Sequence, residues 1–142
     1  MTTYFAYGAN MDPAPMAQRC PGAERVGLAV LPDHEFRIAV AGYGNATTAA
    51  GRTVHGVLWD LPPEDELALD AFEGVPEGLY RKDVVAVRTS DGRTVSAMLY
   101  LPADPSPGRP RSGYLERIIS VAEDLGFPSD YVAGLQCLLA GG

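Results

Sequence analysis

The stretch Tyr4-Phe5-Ala6-Tyr7-Gly8-Ala9-Asn10 constrains this chain more than any other. Aromatic and small apolar residues in series suit a buried strand, and Gly-Ala-Asn brings that strand to a stop. Gly8 has no Cβ, so the main chain there can adopt conformations closed to other residues, and a ligand can approach the N–H groups of residues 8 to 10. Met11-Asp12-Pro13 follows, with Asp12 placed to cap a helix and Pro13 suited to its first turn. A strand, a glycine turn and a helix N-terminus together make an anion cradle. The same junction also occurs as an ordinary turn that binds nothing, and the motif alone leaves both readings open.

Several function classes lose their usual signatures. The 142 residues fit one domain, 1–142, with enough chain to bury a core without staples. No apolar run reaches bilayer length, so no membrane association is expected. Met1-Thr2-Thr3 precedes the first strand with no basic region or cleavage site, which makes the cytoplasm the expected location. A formal net charge of −7, from 11 basic and 18 acidic residues, offers no cationic stripe for nucleic acid. Cys20 and Cys137 stand far apart, which argues against a disulfide framework and a paired-cysteine zinc site. His34 and His55 lack ligand spacing with one another or with an acid, so no metal is expected. Neither a Gly-x-Ser-x-Gly elbow, a P-loop nor a Gly-x-Gly-x-x-Gly fingerprint is present.

The rest of the chain alternates strand and helix signals. A short helix is expected around residues 13 to 19, then a turn at Cys20-Pro21-Gly22 and a strand from Arg25 to Leu31. Glu35 to Val40 alternates polar and apolar as a half-buried strand does, with a hairpin placed at Pro32-Asp33-His34. Residues 41 to 52 carry three glycines and no periodicity, and read as a flexible loop. Val54 to Leu61 reads as a strand in which Gly56 marks a bulge or a close backbone approach. Asp91-Gly92 joins strands at Val84 to Arg88 and Thr94 to Leu101 as a hairpin. Tyr114 to Leu125 is an amphipathic helix closed by Gly126, and Ser129-Asp130 is placed to cap a last helix, Tyr131 to Ala140. About six strands in antiparallel hairpins, with a few helices, make the fold class α+β.

One carboxylate stands apart. Pro62-Pro63-Glu64-Asp65-Glu66 opens a helix with acids at its favourable end, and Gly74 closes it, so Glu73 falls at the C-terminus. Unpaired carbonyls there disfavour an ionised acid, and partial burial raises its pKa further. Such a group can move a proton in both directions near neutral pH. Glu73 also reads as a solvated helix-end residue, and Arg81 and Lys82 as either its counter-charges or water-facing strand residues.

Taken in order, Tyr4 to Met11, Val54-His55-Gly56-Val57-Leu58-Trp59, Leu69-Asp70-Ala71-Phe72-Glu73-Gly74-Val75, Gly78-Leu79-Tyr80-Arg81, Ser96 to Tyr100 and Tyr114 to Ile119 resemble the γ-glutamyl cyclotransferase-like family over nearly the whole chain. The resemblance implies a compact mixed β-barrel with flanking helices and a cavity lined by the first glycine turn. It implies a small-molecule γ-glutamyl substrate that cyclises to 5-oxoproline and releases an amine or amino acid without a cofactor. The family's catalytic glutamate carries over to Glu73, its substrate-holding loop to Tyr7, Gly8, Ala9 and Asn10, and its substrate-contacting tyrosine to Tyr114. Many members carry serine where this chain has Ala9. That departure leaves a metabolite-binding module on the same fold as an alternative reading, beside an enzyme that removes a γ-glutamyl protecting group. The leaving group and oligomeric state have no sequence signal, and specificity is assigned to the loops at 41 to 52 and 102 to 113.

Overall fold

The computed structural model describes residues 1–141. Strand β1, Thr2–Ala6, runs through a 3-10 turn at Ala9–Met11 into helix α1, Pro13–Arg19. Asp12 caps α1 as its sequence position predicts, its carboxylate accepting from the Ala14 N–H. Strands β2, Glu24–Ile38, and β3, Gly44–Leu61, form a long antiparallel hairpin, and helix α2 spans Pro63–Phe72. A second hairpin pairs β4, Tyr80–Thr89, with β5, Thr94–Pro102, before helices α3, Tyr114–Asp124, and α4, Ser129–Leu139. The strands close into a barrel in the order β1-β3-β2-β4-β5. Closure comes from the parallel register of Tyr4 with Met98; the other pairings are antiparallel.

The five strands fit the expected barrel of about six, the segments expected at Arg25 to Leu31 and Glu35 to Val40 being one continuous β2. Pro32-Asp33-His34 forms a bulge, not the expected hairpin: Asp33 alone takes a left-handed conformation (φ 58°), and the strand resumes at His34 opposite Thr48. The Asp33 carboxylate accepts from the Gly51 N–H across the bulge. Most of the expected loop at 41 to 52 is therefore strand, with Glu35, Phe36 and Arg37 opposite Thr47, Ala46 and Asn45. The small side chains of that segment carry no hydrophobic alternation, so its strand character comes from pairing with β2. The hairpin turns instead at 39–43, where the Ala39 N–H reaches the Tyr43 carbonyl at 2.9 Å.

The core explains which residues had to be apolar. Phe5, Leu58, Leu61, Leu69, Leu99, Leu115 and Ile118 are fully buried in one cluster of strands and helices. Each such side chain contributes about 1.5–3 kcal/mol relative to exposure. Gly56 answers its two sequence readings in favour of close approach: a Cβ there would meet the Ala6 carbonyl oxygen at 2.4 Å and the Phe5 ring at 2.7 Å. Helix α3 buries Leu115, Ile118, Ile119 and Ala122, and Gly126 (φ 74°) ends it. The start of α4 departs from expectation: Pro128 occupies the cap position, Ser129 lies inside the helix, and no side chain caps it. Among the described residues, no helix is long and apolar enough to cross a membrane.

Candidate active site

The residues after β1, the end of α2 and the start of α3 meet at a cavity of about 750 Å³. Each arrives by a local rule. Past Phe72, the Gly74 N–H bonds to the Ala71 carbonyl (3.2 Å) and the Val75 N–H to the Asp70 carbonyl (3.0 Å), with Gly74 at φ 71°. This paired closure is a Schellman motif, and it makes Glu73 the C-cap residue. Gly8 precedes the 3-10 turn, whose leading N–H groups have no partner within the turn. A Cβ on Gly8 would meet the Tyr114 Oη at 2.9 Å, so a larger residue there would displace the Tyr114 hydroxyl.

The structure brings together every sequence-predicted site residue: Tyr7, Gly8, Ala9, Asn10, Glu73 and Tyr114 all line the cavity. Burial pushes the Glu73 carboxyl up to about 7, against the opposing pull of the Arg19 guanidinium and of a hydrogen bond from Asn10. Its position at a helix C-terminus acts in the same direction as burial. Asn10 Nδ2 donates to Glu73 Oε1 at 3.3 Å and to Tyr4 Oη at 2.9 Å. The side chain of Asn10 is thus committed to Glu73 and does not cap the turn that follows it.

The tyrosines divide by what their hydroxyls do. Tyr7 donates to the Tyr100 carbonyl at 2.6 Å, tying the residue after β1 to β5. Tyr114 accepts from the Gly44 N–H at 2.9 Å, which leaves its own O–H proton free for a cavity ligand. Burial raises the Tyr114 phenol to about 12 and the Tyr7 phenol well above its ordinary value, so both are neutral donors near pH 7. Tyr80, which sequence reasoning left undecided, also lines the cavity.

Arg81 and Lys82 are not the counter-charges of Glu73. Arg81 makes an exposed pair with Asp83, while Lys82, on the opposite face of β4, is partly buried against α2 and pairs with Glu66 and Asp70. The cation beside Glu73 is Arg19, in the last turn of α1, whose Nη1 donates to Asn10 Oδ1. Its guanidinium carbon lies 3.9 Å from the centroid of the Phe72 ring. Sequence reasoning missed Arg19, since a basic residue ending a short helix is an ordinary dipole partner. Only the return of α1 past Asn10 distinguishes it. Tyr43 and Gly44, from the expected loop, and Arg111, Ser112 and Gly113 line the cavity as well. Arg111 Nε donates to the Ala41 carbonyl at 2.9 Å, joining the two segments to which specificity was assigned.

No group of three or more acidic, histidine or cysteine side chains is arranged to hold a metal among the described residues. Cys20 is buried and Cys137 exposed, and both are free thiols.

Comparison with known proteins adds a family to this geometry. The chain is 28% identical over 145 residues to human γ-glutamylcyclotransferase, covering 95% of this chain and 77% of that protein. A solved γ-glutamyl cyclotransferase structure superposes with a TM-score of 0.87 at 26% identity, over 95% of this chain and 86% of that one. YkqA from Bacillus subtilis gives 0.83 at 26% identity, over 98% of this chain and 54% of its own length. The profile of the AIG2-like family matches residues 53–135, from the second half of β3 through most of α4. The chain belongs to the AIG2-like family and shares the fold of the γ-glutamyl cyclotransferases.

Proposed function

We propose that this protein is a γ-glutamyl cyclotransferase in which Glu73 carries the proton. The observation that carries the reading is a partly buried carboxyl raised to about 7, facing a cavity walled by the first residues of a 3-10 turn. The likeness to relatives named γ-glutamylcyclotransferase supports this reading, and the residues of this cavity suit each step of such a reaction.

The substrate's α-ammonium gives a proton to the Glu73 carboxylate, and the freed amine attacks its own γ-carbonyl. A carbon–nitrogen bond forms and the carbonyl becomes an oxyanion. Collapse of that intermediate breaks the original amide bond as Glu73 returns the proton to the departing nitrogen, while the ring nitrogen gives up its second proton through solvent to the released amine, which leaves as an ammonium. The products are 5-oxoproline and a free amine or amino acid, with no net change at Glu73. A group titrating near 7 suits both halves of this exchange. Because the attack is intramolecular, holding the substrate in its cyclising conformation supplies much of the rate. The N–H groups of residues 8 to 10 and the free Tyr114 proton are the donors available for the α-carboxylate or the oxyanion. A role for the Ala9 main chain fits its place at the start of the turn and needs no side-chain hydroxyl.

The charge of the cavity bears on the leaving group. Arg19, Arg111 and Arg117 line it against the single acid Glu73, in a chain whose net charge is −7. Locally the field favours an anionic substrate, which supports a leaving amino acid over a cationic amine. The overall acidity of the chain is therefore no argument for a cationic leaving group.

Incubation with a panel of γ-glutamyl amino acids and γ-glutamyl amines, read as 5-oxoproline by mass spectrometry, tests the reading. Turnover is expected to fall about 10²–10⁴-fold in Glu73→Gln. Saturable binding without 5-oxoproline would identify a metabolite-binding module on this fold.

A further inference from the structure

Asn10 is 4% exposed, and its carboxamide is held from both ends. The nitrogen end donates to Glu73 and Tyr4; the oxygen end accepts from Arg19. The main-chain carbonyl of the same residue accepts from Trp59 Nε1 at 3.1 Å, so the backbone at Asn10 is fixed separately from its side chain. A carboxamide held only at its backbone can turn over and exchange its N–H and C=O ends. Turned over, Asn10 would present its oxygen to Glu73 Oε1 and repel an ionised carboxylate. Arg19 has donors and no acceptor, so it holds the oxygen end and cannot hold the nitrogen end. Phe72, immediately before Glu73 and stacked with the guanidinium, keeps that donor in place.

We propose that Arg19 is a positioning residue: by holding Asn10 Oδ1 it aims the carboxamide N–H at Glu73 and keeps that carboxyl able to release its proton and act as a base. The proposal rests on the reading of Glu73 as the proton carrier. The groups facing Glu73 are Tyr4 from β1, Tyr7, Tyr80 from β4, Tyr100 from β5 and Tyr114 from α3. All five phenols are shifted upward by burial and stay neutral in the pH range where Glu73 titrates. Arg19 and Asn10 are the two groups that favour its ionised form, the first by charge and the second by its N–H.

The test is a carbon-13 NMR titration of the protein with its glutamate carboxyls labelled, the Glu73 signal being assigned by its loss in Glu73→Gln. Wild type, Arg19→Gln and Arg19→Lys are compared without substrate and then by the pH dependence of kcat/KM. In Arg19→Gln the Glu73 midpoint is expected to rise by about one pH unit, and kcat/KM below the midpoint to fall about tenfold. Lysine keeps the charge and one donor, so Arg19→Lys is expected to fall between the two and to report on the proposal if the glutamine variant does not fold. An unchanged Glu73 midpoint in folded Arg19→Gln or Arg19→Lys would overturn the proposal. A shifted midpoint in a protein that releases no 5-oxoproline would uphold the Arg19 coupling and overturn the cyclotransferase reading instead.

Discussion

Helix α2 presents carboxylates to two different surroundings, and the contrast separates an acid well supplied with donors from the one proposed to carry a proton. Glu66 and Asp70 lie on the flank that meets Lys82, whose Nζ is 3.0 Å from Asp70 Oδ2 and also bonded to Glu66. Thr2 donates to Glu66 as well, and Tyr100 Oη donates to Asp70 at 2.7 Å. Hydrogen bonds from Lys82 and then Thr2 hold the Glu66 carboxyl below its ordinary value. Glu73, just past the helix end, has one 3.3 Å bond from an amide and burial that outweighs it. The same residue type therefore titrates on opposite sides of its ordinary value at two ends of one short helix. Burial decides the direction at Glu73, and the bonds from Lys82 and Thr2 decide it at Glu66.

The largest effect on stability is expected at Glu73. Its folded midpoint of about 7 lies above the ordinary 4.5, so the folded state holds a proton that the unfolded chain has released between those values. Stability from this group is complete below about pH 4.5 and is lost as pH rises through about 7. Glu73→Gln keeps a neutral side chain at every pH and removes that loss. At pH 8 the variant is expected to be more stable than wild type by about 3 kcal/mol, with the difference vanishing near pH 4. Urea unfolding at the two pH values measures it. Equal stability at pH 8 would put Glu73 in the same class as Glu66 and dissolve the comparison. Loss of turnover together with gain of stability is the pattern expected where an active site keeps a strained group for its chemistry.

At Lys82 the effect is smaller and opposite in sign. Burial lowers its ammonium, and the bonds to Glu66 and Asp70 more than restore it, leaving its pKa raised. Lys82→Met leaves two partly buried carboxylates without their shared donor, at a cost of about 1–2 kcal/mol at pH 7. For Glu66, whose folded value is depressed, stability is present above its ordinary 4.5 and is lost as pH falls through the folded value. The variant should lack that acid-side loss, so the two proteins converge as the pH is lowered. Thermal unfolding across pH 3 to 7 reads this directly. A stability gap that stays constant with pH would mean that Lys82 acts through packing of its stem and not through charge.

These two regions also show where the sequence was legible. Glu73 was readable because Gly74 marks a helix C-terminus by a local rule, and that rule held down to its two hydrogen bonds. The Asp91-Gly92 hairpin and the Asp12 cap were readable for the same reason. The bulge at Asp33 was not, since Pro-Asp-His satisfies the chemistry of a turn and of a bulge alike. Only the pairing of His34 with Thr48 decides between them. Lys82 stayed undecided and Arg19 was missed because each is defined by a partner on another element, 12 to 16 residues away for Lys82 and nine for Arg19. The cavity residues came from motif order, and the charge that tunes them came only from the fold.

The smallest expected effect belongs to Ala9, and it extends the same contrast from carboxylates to donors. If the turn serves a ligand through its main-chain N–H groups, a hydroxyl at position 9 adds one optional hydrogen bond to donors already in place. Such a bond is worth about 0.5–1.5 kcal/mol, so Ala9→Ser should change KM by about tenfold at most and leave the Glu73 titration where it is. If the turn depends on a side-chain hydroxyl that this chain has lost, the variant should instead raise kcat, because the new donor would act on the oxyanion formed during reaction and not on the bound substrate. Steady-state kinetics on the best γ-glutamyl substrate separate the two outcomes. A change in kcat would make the turn resemble Glu73, a site short of partners; a change confined to KM would make it resemble Glu66, already supplied.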